Sequence, residues 1–179
     1  MSMVKDKMRI LEVVWQEDRP MKSSEVAQKL DFHVAATTMH LLGLKSTGHI
    51  TTLRNGQYAI TEQGKEALGL PRIDKVQIKK ILAQILDDKG FHFYNGLDQN
   101  SRITASSLAD FCDKIQKISY KSIEFHIPRK DFEYWFQSLG DLELAKRMSM
   151  IRNMNLHGED LKAKTYEAVK HRYQQLLSM

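Results

Sequence analysis

The feature that most constrains this chain is Asn55-Gly56, set between two short runs of β-prone residues. A two-residue type I′ turn demands positive φ at both central positions. Asn and Gly tolerate it, so the pair predicts a hairpin joining Ile50-Thr51-Thr52-Leu53-Arg54 to Gln57-Tyr58-Ala59-Ile60. A lone hairpin is barely stable in water, so its neighbours must supply a core. Three helical segments precede it. In residues 5–16, Met8, Leu11 and Trp15 share one stripe with Ile10 and Val14 beside it, and Asp18-Arg19-Pro20 ends the helix. Ser23 to Leu30 forms a second helix, with the Ser23 hydroxyl as its cap and Val26, Ala27 and Leu30 inward. A third runs from Val34 to about Thr47 and closes at Gly48 in the left-handed conformation. After the hairpin, Thr61 to Leu68 is a short capped helix, and Gly69-Leu70-Pro71 punctuates its end. Helix, helix, helix, hairpin, helix in residues 1–70 is a winged-helix arrangement.

The stretch from Met8 to Leu68 resembles the winged helix-turn-helix domains of prokaryotic transcription regulators. Ser24-Glu25-Val26-Ala27-Gln28-Lys29-Leu30 is similar to their second helix. Leu44-Lys45-Ser46-Thr47-Gly48-His49-Ile50 is similar to the passage from recognition helix to wing, and Arg54 to Gly64 to the wing and the helix after it. The resemblance implies double-stranded DNA as partner and a homodimer as working form, with half-sites about 10 base pairs apart.

The third helix is the element for the major groove. Taking Ala35, Met39 and Leu42 as its core stripe places Thr37, Thr38, His40 and Lys45 toward solvent, where they meet bases or phosphates. Ser23 and the wing-tip residues Arg54, Asn55 and Gln57 complete the expected DNA contacts. The expected face carries no arginine, although arginine to guanine is the commonest specific contact. Winged helices also serve as protein-interaction modules, and that reading stands as the alternative.

Charge leaves the choice open. The chain carries +5 overall, but residues 1–70 hold nine Lys/Arg against eight Asp/Glu, and most of the surplus lies beyond them. With 42% hydrophobic and 27% charged residues the composition is that of a globular protein. No apolar run is long enough to span a bilayer, and the N-terminus lacks a secretory pattern. A single cysteine, Cys112, excludes an intramolecular disulfide and fits the cytoplasm.

Residues 71–90 predict a linking helix capped by Asp74, with Ile78, Ile81, Leu82, Ile85 and Leu86 on one stripe. That stripe buries itself either on the rest of the chain or on a second copy, and Ile78, Ile81 and Ile85 are the expected contributors to a dimer. Residues 91–179 then form a mainly helical domain. Phe91-His92-Phe93-Tyr94 and Ser122-Ile123-Glu124-Phe125-His126-Ile127 alternate like strands of a small two-stranded sheet. A helix from Thr104 to Ile118 carries Leu108, Phe111, Cys112, Ile115 and Ile118 inward, and others follow the stripes Phe132, Trp135, Phe136, Leu139; Leu144, Met148, Ile151; and Leu161, Thr165, Ala168, Val169, Tyr173, Leu176. Phe125, Phe132, Trp135 and Phe136 are the expected core. The expected fold class is therefore mainly α, with a winged helix, a linking helix and a helical second domain.

Most of residues 91–175 resembles a domain of unknown function from archaeal and bacterial proteins. The resemblance rests on Phe91 to Tyr94, Ala105 to Phe111, Ser122 to His126, Arg129 to Trp135 and Gly140 to Ala145, and it implies no established activity. If the two predicted strands pair, His92, Tyr94, Glu124 and His126 share a face near Arg129 and Asp131. That set is suited to binding an anion or to acid–base work. The simpler reading makes Asp131 a helix N-terminal acid, paired with Arg129, while His126 ends a strand. Glycine-rich phosphate loops, zinc-type Cys/His spacings and nucleophile elbows are absent. The reading is thus a non-enzymatic regulator without cofactor or metal, its second domain serving assembly or an unidentified small-molecule effector.

Overall fold

The computed structural model describes residues 3–179 and is mainly helical, with two small antiparallel sheets among the described residues. The chain divides into two compact units, Met1–Arg72 and Ile73–Met179. In the first, helices α1 (Met3–Gln16), α2 (Ser23–Leu30) and α3 (Val34–Ser46) precede strands β1 (Ile50–Thr52) and β2 (Tyr58–Ile60) and a short helix α4 (Glu62–Ala67). The strands pair as Ile50 with Ile60, Thr51 with Ala59 and Thr52 with Tyr58. Asn55 and Gly56 both take positive φ, but the turn is longer than the expected two residues: Arg54–Gly56 form a single 3-10 turn, closed where Leu53 N–H donates to Gln57 O at 2.7 Å. Met21 adds a third rung, because its N–H donates to Tyr58 O (2.9 Å) and its carbonyl accepts from Tyr58 N (2.7 Å). Ile10, Leu11, Val14, Val26, Leu41 and Ile50 make the core between helices and wing. Trp15 is buried as well.

Two local expectations fail. The N-cap of α2 is Lys22, not Ser23, and it is held by the Glu25 carboxylate accepting the Lys22 N–H at 2.7 Å. That bond is the leading cause holding the Glu25 carboxyl below its usual range. The acid three residues past the cap is thus present once the cap moves back by one residue. The second failure is the rotation of α3. Its inward stripe is Thr37, Leu41 and Leu44, while Ala35, Met39 and Leu42 face out. Both stripes are apolar, so periodicity does not choose between them.

The C-terminal end of α3 is fastened by its neighbours. Gly48 takes φ of 76° there, and His49 N–H donates to Leu44 O at 2.9 Å. The Thr61 hydroxyl donates to Gly48 O at 2.6 Å, and Gln63 Nε2 donates to Thr47 O at 3.0 Å. Gly64 of α4 lies so close that a Cβ there would sit 2.1 Å from His49 O.

The second unit opens with α5 (Lys75–Leu82), followed by strands β3 (Phe91–Tyr94) and β4 (Asn100–Ala105) and helices α6 (Leu108–Lys117), α7 (Tyr120–His126), α8 (Asp131–Leu139), α9 (Leu142–Arg152) and α10 (Gly158–Ser178). Asp74 caps α5 by accepting Gln77 N–H at 2.8 Å. The expected linking helix stops at Leu82, and Ile78 and Ile81 are buried in this unit's own core with Ile85 packed against it. They are therefore unavailable as contributors to a dimer. The small sheet is also not the expected one. Its partner for β3 is Asn100–Ala105, a segment with too few large apolar residues to read as a strand, with Phe91 opposite Ala105 and His92 opposite Thr104, so the helix expected from Thr104 begins only at Leu108, after its Ser107 cap. Residues 122–127 are instead α7 and its C-cap, with the Ser119 hydroxyl accepting from Lys121 N–H at the start.

The core of this unit is aromatic. Phe111 stacks on Trp135 with centroids 5.2 Å apart, and Phe91, Phe93, Phe132 and Phe136 meet them edge-on or tilted at 5–6 Å. Phe125 is only half-buried and stands outside that cluster. At the other end lies a buried ionic network between α9 and α10. Arg172 Nε donates to both oxygens of Asp141 (3.1 and 2.9 Å), while Arg172 Nη1 donates to Glu143 Oε2 and Gln175 Oε1, each at 2.7 Å.

Candidate functional site

In the first unit, the surface that a winged helix presents to a partner is the outer face of α3 with the wing. Thr37 does not belong to it. It is fully buried, and its hydroxyl donates to His33 O at 3.1 Å. The half-buried Thr38 likewise spends its hydroxyl on Val34 O at 2.9 Å, a bond within its own helix. Ser23 and His40 are half-buried, while Lys45, Arg54 and Asn55 are exposed and Gln57 half-buried. What the outer face does display is Met39, 70% exposed, with Leu42, Val34 and Leu53 all above 40%. None of these four was an expected contact. The cue available was that α3 carries two apolar stripes, Leu41 with Leu44 and Ala35 with Met39 and Leu42, since such a helix is ordinarily covered on both sides.

Charge along the segment that carries α3 and the hairpin is one-signed. From Phe32 to Thr61 the sequence contains no Asp or Glu, while it holds Lys45, Arg54 and three histidines. Neither Lys45 nor Arg54 forms an ion pair among the described residues. By contrast, Arg19 and Lys29 are engaged by Glu25 and Glu17 at 2.9 and 2.7 Å.

In the second unit, the loop after β3, the end of α7 and the start of α8 surround a cavity of about 330 Å3. Three of the four expected anion-site residues, His92, His126 and Arg129, line it together with Asp131. Glu124 lies elsewhere, accepting Gly158 N–H at 2.8 Å, because α7 is a helix and turns that side chain away from His126. Phe91, Tyr94, Leu97 and Phe125 form the apolar wall, and Gly96 and Asp98 complete the rim.

His126 is the hinge of this geometry. It is 3% exposed, its Nδ1 pairs with Asp131 Oδ2 at 2.7 Å, and its Nε2 accepts the Tyr94 N–H at 2.9 Å. A ring that accepts at Nε2 and faces a carboxylate at Nδ1 is the neutral Nδ1–H tautomer. Burial pushes its pKa below the usual histidine value, against the pull of Asp131. The second proton has no place to go, because it would point at another N–H. With both nitrogens occupied, His126 holds β3 in position rather than acting on a ligand. His92 is exposed and bonded to the Thr104 hydroxyl at 2.9 Å. Among the described residues no group of three or more His, Cys, Asp or Glu is arranged to hold a metal ion. Cys112 is buried, and burial raises its thiol pKa.

The first unit is three helices, a two-stranded hairpin and a short helix, and the second is mainly helical with a cavity lined by aromatic residues. The model of a family of unknown function, DUF5752, matches residues 26–170, and the chain belongs to that family. The match starts inside α2 and ends inside α10, so it takes in both units. No curated protein and no solved structure matches the chain. Among the described residues no helix is long and apolar enough to cross a membrane.

Proposed function

We propose that the first unit is a protein-docking winged helix, whose occupant is a partner protein presenting an apolar strip edged by carboxylates to α3. The observation that carries this reading is the exposed stripe Ala35, Met39 and Leu42. Large adjacent apolar side chains on an otherwise polar surface mark protein contacts. The acid-free, cationic rim of Lys45 and Arg54 favours an acidic partner and disfavours a second copy, whose own cations would face these. The working compartment in this reading is the cytoplasm, where the lone thiol of Cys112 stays reduced.

DNA is the other occupant, and the same lack of acids between Phe32 and Thr61 favours it. Against it stands the chemistry of the outer face. Thr37 and Thr38 have lost their hydroxyls to the helix backbone, and methyl and thioether groups cannot read the donors and acceptors of base edges. Site-specific photo-crosslinking in cells separates the two. A photoreactive residue at Met39 is expected to capture one protein, and Leu42→Glu to abolish the capture. Capture of nucleic acid alone, with a salt-sensitive shift of random duplex DNA that Arg54→Ala and Lys45→Ala remove, would establish the DNA reading. Capture of the chain itself would establish a homodimer. Either result rejects the docking of a separate partner.

A further inference from the structure

The cavity of the second unit is built for a ligand more than for structural support. Its lining includes the aromatic residues Phe91, Tyr94 and Phe125, the last two half-buried, and Arg129 lies with its guanidinium 4.9 Å from the Phe125 centroid. Arg129 Nε donates to Asp131 Oδ2 at 3.2 Å, which fixes the plane of the guanidinium. Its two Nη atoms make no hydrogen bond among the described residues, although the side chain is only half exposed. A guanidinium tethered at Nε and stacked on a ring presents the remaining pair of donors as a preset fork, the geometry that a carboxylate fills with both oxygens. At the mouth, Leu97 is 77% exposed, an apolar side chain on a hairpin loop that borders the cavity.

The same residues restrict the ligand. Asp98 and Asp131 line the space, so a doubly charged anion such as phosphate meets two carboxylates for one guanidinium. The apolar walls leave a small inorganic ion without contacts on most sides. A volume of about 330 Å3 is near the lower end for small-molecule sites, room for one or two fused rings. His126 binds nothing itself, but by clamping β3 through Tyr94 N–H it keeps the wall in place before any ligand arrives.

We propose that this cavity binds a small planar aromatic carboxylate, with the ring against Phe91, Tyr94 and Phe125, the carboxylate on the Nη pair of Arg129, and Leu97 folding over the ring. The proposal is independent of what α3 docks. It is tested by calorimetry and thermal unfolding of the full chain with benzoate, indole-3-acetate, benzyl alcohol and inorganic phosphate. At least one of the two aromatic acids is expected to bind saturably in the millimolar range or tighter and to raise the unfolding temperature, while benzyl alcohol and phosphate do neither. Arg129→Gln is expected to weaken that binding by about tenfold or more, the usual loss for a charge-assisted hydrogen bond. Leu97→Ser is expected to weaken it less. Both side chains lie at the surface, and an unchanged circular dichroism spectrum confirms that each variant folds. Absence of saturable binding by both acids overturns the proposal. So does equal binding to Arg129→Gln, or binding of phosphate or benzyl alcohol as tight as that of the acids.

Discussion

Replacing Arg172 by methionine tests what holds α9 and α10 together. Methionine keeps the apolar stem of arginine and roughly its bulk, so the change removes the charge and the donors with little loss of packing. It leaves Asp141, whose side chain is 0% exposed and which has lost both of its bonds to Arg172 Nε. The bond from Leu144 N–H at 3.0 Å remains, enough for a cap but not for a full charge. Glu143 keeps Arg147 at 3.5 Å and is the lesser casualty. Breaking a buried pair from one side costs about 3–5 kcal/mol, because one charge stays behind uncompensated. The matching rescue is Asp141→Asn in the Arg172→Met background, since asparagine keeps the cap and drops the charge. Trp15 lies in the first unit and Trp135 in the second, so urea unfolding in a Trp15→Phe background, followed by Trp135 fluorescence, reads the second unit alone. The expected loss is about 3–5 kcal/mol for Arg172→Met and clearly less for the double variant. A single-variant loss under about 1 kcal/mol, or a double variant no better than the single one, would refute the account of a desolvated pair.

Acid should loosen the second unit through His126. Its pKa in the folded protein lies below the ordinary histidine value of 6.5, so the stabilisation is complete above that value and is lost as pH falls through the lower folded one. Urea midpoints measured from neutral into acid pH should fall, and His126→Gln should flatten that segment of the profile. In α3, Leu41→Ala should cost about 2–5 kcal/mol in chemical denaturation while Leu42→Ala stays within about 0.5, the reverse of what Met39 and Leu42 as core residues would give. Gly64→Ala should destabilise the first unit by about 1–3 kcal/mol, since the obstacle to its Cβ is the His49 carbonyl rather than a movable side chain. An unchanged melting temperature for that variant would mean that α4 shifts freely away from the β1 entry.

The readable parts of the fold were those with a single dominant signal. Asn55-Gly56 located the hairpin because few other pairs accept its backbone, and the stripe from Leu108 to Ile115 located α6 because its opposite face is polar. Where two patterns overlapped, tertiary contacts decided. Residues 122–127 alternate like a strand, yet Ile123, His126 and Ile127 also fall at helical spacing, and those three are buried together with Ser122. That substitution of helix for strand is why Glu124 left the polar cluster. His126, Arg129 and Asp131 stayed together because they are near in sequence and need only one turn to meet. Leu97 entered the site through the pairing of β3 with β4, and Ser101, Arg102 and Thr104 gave that second strand too little apolar alternation to announce itself.

A helix that is apolar on both sides has no strong preference for its own rotation. For α3, turning Ala35, Met39 and Leu42 inward or outward exchanges one apolar stripe for another, and two such states would lie close together on the energy landscape. The gap that selects one of them is supplied from outside the helix, by the Thr61 and Gln63 bonds to its last turn and by the bare Cα of Gly64 against His49. The orientation of the outer face of α3 is therefore encoded in the hairpin and α4. Substitutions there can rotate what α3 shows to a partner without touching a single residue of the face itself.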